Sequence, residues 1–182
     1  MERESIETAV TLICNLFKSN KIPYCLTGGI AVSIWSTVRA TEDIDIISMI
    51  NKNDASYLEK LLSQSFTVIS HKSILLDKTM TPIIRFVLIP DKQDMHYVCD
   101  IIPAESHFLK QVIARSVEIE YQATKINIIG LEDLIILKIL SGRDQDILDA
   151  KNLLKEDLPK DLQYIYSTLN SLDVDVKKYS FL

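Results

Sequence analysis

No apolar run in these 182 residues approaches the roughly 20 that a membrane-crossing helix needs. The opening Met-Glu-Arg-Glu-Ser is charged and leads into an amphipathic pattern, so it is not read as a signal peptide. Cysteine is scarce: Cys14, Cys25 and Cys99 lie in apolar or strand-like surroundings, odd in number and without CxxC spacing. That excludes a disulfide framework or a thiolate metal knuckle and leads us to expect buried, reduced thiols in a cytoplasmic protein. A basic surplus is missing too. The net charge of −5 argues against tight, nonspecific binding to long nucleic acid, although a single nucleotide needs only a few local cations. His71, His96 and His107 lack metal-ligand spacing, and no Ser/His/Asp or Cys/His arrangement has motif support. There is no internal repeat, low-complexity segment or long linker.

What is present suits one globular domain: 47% hydrophobic and 25% charged residues. Helical spacing of Ile6, Val10, Ile13, Leu16 and Phe17 predicts a first helix over 3–19. Pro23–Thr27 reads as a short buried strand, Gly28-Gly29 as a turn, and Ile30–Thr37 as a helix entered from that turn. Strands are expected at Asp43–Ile50, Phe66–Ser70, Thr81–Ile89 and His96–Ile102, with helices at Asn53–Ser63 and Phe108–Ala114. Val117–Tyr121 and Lys125–Ile129 suit a strand pair. From Leu131 the texture is helical: Leu131–Leu140, Asp144–Leu154 and Leu158–Leu169, broken by Ser141-Gly142 and Pro159. The expected class is α+β, a small mixed sheet with flanking helices followed by a helical C-terminal part. The division is a core over 1–130 and a helical segment over 131–182 packed on it as one unit.

Residues 27–45 carry the chemistry. Thr27-Gly28-Gly29 is a turn that lets backbone approach phosphate, and the following helix offers free N–H groups to an anion. Asp43 and Asp45, two apart on a strand, share a face while Ile44 and Ile46 turn to the core. Adjacent carboxylates repel unless a cation lies between them. Asp100, alone in the apolar strand Tyr-Val-Cys-Asp-Ile-Ile, is expensive to bury without a partner or a cleft. If its strand neighbours that of Asp43 and Asp45, three carboxylates converge, a donor set suited to Mg²⁺ or Mn²⁺. Two such ions about 3.5–4 Å apart can stabilise both oxygens of an in-line displacement. Arg39 and Lys138 are candidate cations for phosphate.

In this order, Leu26-Thr27-Gly28-Gly29, Asp43-Ile44-Asp45 and Asp100 resemble the nucleotidyltransferase fold of the polymerase-beta superfamily. The Arg39-x-Thr41-x-Asp43-x-Asp45 form is nearest its small bacterial branch, with AbiEii-like toxins and aminoglycoside or lincosamide nucleotidyltransferases. The segment from Ile129 through Lys138 to Asp149 is similar to the helical part that follows the sheet in that branch, and the likeness spans roughly 22–155. The resemblance implies that Asp43 and Asp45 bind two metal ions. It implies that Asp100 binds one and helps deprotonate the acceptor, that Thr27, Gly28 and Gly29 cradle phosphates, and that Arg39 and Lys138 contact the nucleotide. It implies transfer of a nucleoside monophosphate from a triphosphate to a hydroxyl of protein, tRNA or a small molecule, with pyrophosphate released, in a toxin–antitoxin or phage-defence setting with a protein partner. The turn here is Thr-Gly-Gly rather than Gly-Ser, so serine contacts to phosphate do not carry over.

Two other functions compete. One is a catalytically silent, antitoxin-like partner of a neighbouring gene product; the other is a metal-dependent nuclease, which needs no glycine turn. Plainer roles stand beside the sharp ones. Lys138 on an apolar helix reads equally as a snorkelling lysine. Asp144, Asp146 and Asp149 read as a solvated face paired with Arg143 and Lys151. Trp35 and Tyr24 read as core, and 173–182 as a docking helix, a partner contact or a frayed end.

Overall fold

The computed structural model describes residues 6–36, 41–76, 81–90, 95–179 and 181. Arg39, one of the expected phosphate contacts, lies outside them. Seven strands form one mixed sheet, ordered β3-β4-β5-β2-β1-β7-β6. They are β1 (Tyr24–Thr27), β2 (Asp43–Ser48), β3 (Phe66–Leu76), β4 (Thr81–Pro90), β5 (Tyr97–Pro103), β6 (Val117–Tyr121) and β7 (Thr124–Ile128). The helices are α1 (Ile6–Ser19), α2 (Gly28–Trp35), α3 (Ala55–Leu62), α4 (His107–Ala114), α5 (Leu131–Ser141), α6 (Asp144–Lys155) and α7 (Leu162–Ser171). This is the expected α+β class, and no described helix is long and apolar enough to cross a membrane.

Strand alternation divides the core in two. Ile44 and Ile46 of β2 join Val10, Ile13 and Phe17 of α1 and Leu58, Leu61 and Leu62 of α3 in one cluster. Ile47, one residue out of phase, joins the other, with Val112 of α4, Leu134 and Ile135 of α5, Leu153 of α6 and Ile165 of α7. A period of two dictates this, since successive strand side chains face opposite ways. Asp43 and Asp45 share the phase of Ile47, so the acids emerge on the face covered by α4 to α7. The three cysteines are buried thiols; burial pushes Cys14 up to about 12.

Local departures have physical causes. Helix α2 begins on Gly28 rather than beyond the turn, because the glycines are themselves its first residues. Strand β3 runs to Leu76, past the expected Ser70, because Ser70–Leu76 pairs in register with Thr81–Val87 despite its polar stretch. A bulge between Val68 and Ser70 leaves Ile69 exposed. Gln122 and Ala123 both have positive φ, which closes β6 on β7 by a two-residue turn matching strand twist. Helix α7 starts at Leu162, after Pro159, with the Asp161 side chain accepting from Tyr164 N–H. Of the 173–182 segment, read as a docking helix, a partner contact or a frayed end, the described residues form one 3-10 turn, Val176–Lys178. Val176, Tyr179 and Phe181 pack on the α4–α7 cluster.

Candidate active site

A cleft of about 450 Å³ opens beside the end of β1, the start of β2 and the middle of β5. Its lining is Gly28, Gly29, Thr41, Glu42, Asp43, Asp45, Arg85, Asp100, Lys138 and Arg143. The sheet aligns much of this. Thr27 is the Cα partner of Asp45 on antiparallel β1 and β2. Asp45 partners Asp100 on parallel β2 and β5, and Asp100 partners Arg85 on antiparallel β5 and β4. Hydroxyl, carboxylate, carboxylate and guanidinium thus stand in one row across four strands. The neighbouring of β2 and β5, on which the three-acid reading depended, is present.

Gly28 sits in the left-handed region at φ +67, a conformation glycine adopts without penalty. A Cβ there would lie 1.8 Å from Asp45 Oδ2, so the carboxylate packs directly on the turn. Thr27, the N-cap of α2, makes no side-chain capping bond. First-turn amides have no acceptor within their helix and carry its positive pole, so the end of α2 that lines the cleft is chemically suited to an anion.

The acids are not equivalent. Asp43 is exposed at the start of β2. Asp45 is pushed up to about 6 by burial first, then by the charges of Asp100 and Asp43; Lys138 and Arg143 oppose this through charge. Asp100 is 4% exposed and gripped by Arg85, with Nε donating to Oδ1 at 2.7 Å and Nη2 to Oδ2 at 2.6 Å. Among the described residues no three His, Cys, Asp or Glu side chains stand ready-grouped for a metal. The cleft therefore gathers the three expected acids without placing them in one coordination shell. Asp43 and Asp45 still fit a hard divalent cation: both are oxygen donors, and Asp45 carries an unfavourable charge that a cation would relieve.

Lys138 lines the cleft but does not snorkel. It is 6% exposed, and its ammonium lies 2.6 Å from Asp146 Oδ1 and 2.9 Å from Asp149 Oδ2. The reading of Asp146 and Asp149 as solvated is corrected: each is 2% exposed. At i, i+3 on α6 they share the face that packs on α5, and Lys138 is their counter-ion. Arg143 Nε adds a bond to Asp146 Oδ2 at 2.5 Å, and Ser141 Oγ donates to the same oxygen. Burial alone would raise Asp146; the bonds from Lys138 and Ser141 and the Lys138 charge outweigh it and hold the acid below its usual value. Gly142, at φ +62, ends α5 in a left-handed turn and lets α6 fold back.

Arg85 escaped the sequence reading although a signal existed. A lone charge in the apolar run Ile83-Ile84-Arg85-Phe86 calls for a partner by the argument that singled out Asp100. Of the residues read as core, Tyr24 is buried, while Trp35 is half-buried and donates Nε1–H to Ile129 O at 2.9 Å.

A family model described as a nucleotidyltransferase of unknown function, DUF6036, matches residues 5–165. The chain belongs to this nucleotidyltransferase family. No curated protein sequence matches it significantly. Solved structures share the fold. An antigenic nucleotidyltransferase-like protein from Paracoccidioides brasiliensis superposes with a TM-score of 0.60 at 17% identity, over 98% of this chain and 93% of that one. A nucleotidyltransferase-fold protein from Thermotoga maritima gives 0.57 at 16% identity, over 94% and 96%. ANT(2")-Ia in complex with adenylyl-2"-tobramycin gives 0.57 at 13% identity, over 94% and 100%. At these identities the likeness concerns the DUF6036 chain's fold.

Proposed function

We propose that this DUF6036 protein transfers a nucleoside monophosphate from a triphosphate to a hydroxyl acceptor, using Mg²⁺ or Mn²⁺. The observation that carries the reading is the packing of Asp45 on the left-handed Gly28 turn, beside Asp100 and within one cleft. A turn suited to phosphate thus touches a carboxylate whose charge is under strain.

In this reading the α2 N-terminus and the Gly28-Gly29 backbone hold the phosphate tail, with Thr27 beside it. Asp43 and Asp45 hold the cation, and Asp100 joins them if Arg85 yields. The bound cation would neutralise the triphosphate and the charge on the departing pyrophosphate. The acceptor oxygen forms the new bond to the α-phosphorus, the bond from that phosphorus to the bridging oxygen breaks, and pyrophosphate leaves. The acceptor's proton goes to a carboxylate at the cleft, with Asp100 on the acceptor side. Lys138 and Arg143 bring positive charge to the cleft wall.

The adenylylated antibiotic of ANT(2")-Ia shows one kind of acceptor on this fold. For this chain the acceptor is a protein, tRNA or small-molecule hydroxyl, and the setting a toxin–antitoxin or phage-defence pair. The test is incubation with each α-labelled triphosphate, Mg²⁺ or Mn²⁺ and cell lysate. Label on one acceptor class with pyrophosphate released, both lost in Asp43→Asn and Asp45→Asn, is the expected result. A stable complex with a neighbouring gene product and no turnover of any triphosphate would replace this reading with the contact-only one.

A further inference from the structure

Arg85 projects from β4 into the cleft wall and takes both oxygens of Asp100. The carboxylate side chain is 6% exposed and the guanidinium side chain 42%, so the acid lies beneath its partner. Two parallel charge-assisted bonds occupy both of the oxygens that a cation would take as donors. Asp45, one strand away in the same row, feels Lys138 and Arg143 only through charge. Among the described residues, a cation entering the metal-free protein therefore meets Asp43 and Asp45, neither of them held by an arginine fork, and a third acid already paired with one.

We propose that Arg85 is a positioning residue, the resident counter-ion of Asp100, and that a cation reaches Asp100 only in exchange for it. This rests on the metal-dependent reading above. The exchange costs a part-buried, doubly bonded ion pair, which keeps the third acid paired and aimed until metal and triphosphate arrive together. The fork that matches a carboxylate also matches phosphate, so the displaced guanidinium finds an anion once triphosphate fills the cleft.

The test is calorimetric titration of the whole protein with MnCl₂ alone, without nucleotide, on variants whose cooperative melting is checked by circular dichroism. Arg85→Gln frees Asp100 and is expected to tighten Mn²⁺ binding by about tenfold to a hundredfold, the range set by bonds to charged groups. Arg85→Lys, which keeps the charge and loses the fork, falls between Arg85→Gln and the parent. The gain disappears in Arg85→Gln/Asp100→Asn. Loss of a merely structural contact would weaken or leave unchanged the affinity for metal, never raise it. Unaltered or weaker Mn²⁺ binding in a folded Arg85→Gln or Arg85→Lys variant overturns the proposal, as does a gain that survives the second substitution. Failure of the underlying reading looks different: Asp43→Asn/Asp45→Asn would then bind Mn²⁺ as the parent does.

Discussion

Replacing Gly28 by alanine puts two separable penalties on one atom. An L-residue held at φ +67 costs about 1–2 kcal/mol. The added methyl also meets Asp45 Oδ2 at 1.8 Å, Cγ at 2.6 Å and Cβ at 2.8 Å, so the carboxylate or the turn must move. Overpacking of this kind costs about 1–3 kcal/mol. The sum is roughly 2–5 kcal/mol, or a fall in melting temperature of roughly 5–15 °C for a chain of this length. Thermal denaturation followed by circular dichroism reads it. Activity should fall further than stability, by about a hundredfold, since a displacement near 1 Å at a reacting centre has that effect. A double-mutant cycle isolates the clash. With Asp45→Ala the two shortest of these contacts disappear and that to Cβ at 2.8 Å remains, so Gly28→Ala should cost about 1–2 kcal/mol less in that background. Equal cost in both backgrounds, or a melting temperature within 2 °C of the parent (about 1 kcal/mol or less), would refute the placement of Asp45 on the turn.

Two further outcomes follow from the charges. Asp45 holds its proton up to about pH 6 in the fold against about 3.9 unfolded, so its contribution to stability is present below pH 4 and lost as pH rises through 6. Without metal, Asp45→Asn should therefore gain on the parent by about 2 kcal/mol between pH 4 and pH 7.5 in urea denaturation; a pH-independent difference would be inconsistent with this. Lys138→Met leaves Asp149 buried without its lysine and Asp146 held by Arg143 and Ser141 alone, and should cost about 3–5 kcal/mol, with much of it restored when both acids become asparagine. Chemical denaturation of the three proteins decides it, and failure of the acid substitutions to restore stability would contradict the pairing.

Much of the cleft is local in the chain and so was open to reading. The Gly28 turn and the Asp43, Asp45 pair lie within 18 residues, and their geometry follows from strand and helix periods. Asp100 was legible because a lone acid in an apolar strand needs a reason. Arg85 satisfied the same rule, but its significance depends on the register of β4 against β5, a non-local pairing that no period reports. The helix holding Lys138 was expected, yet the burial of Asp146 and Asp149 follows from how α6 folds back after Gly142. A charged face on a helix is ambiguous until the opposing helix is known. The length of β3 was hidden for a related reason: Ser70-His71-Lys72-Ser73 has no hydrophobic alternation, and backbone pairing with β4 alone makes it a strand.

Strand β1 has only four residues, and everything that meets at the cleft is measured from it. Its last residue leads into the glycine turn. Leu26 pairs with Ile128 of β7 and its carbonyl accepts from Ile129 N–H at 2.9 Å, directly before the helix that carries Lys138. Trp35, at the far end of α2, returns to the carbonyl of the same Ile129. The phosphate turn and the lysine helix are thus hung from one short rung and cannot be adjusted independently. Lengthening the Gln122-Ala123 turn would leave that rung alone, whereas inserting a single residue in β1 would shift both walls of the cleft at once. For anyone reshaping this protein, the surface turns are adjustable and these four residues are the datum.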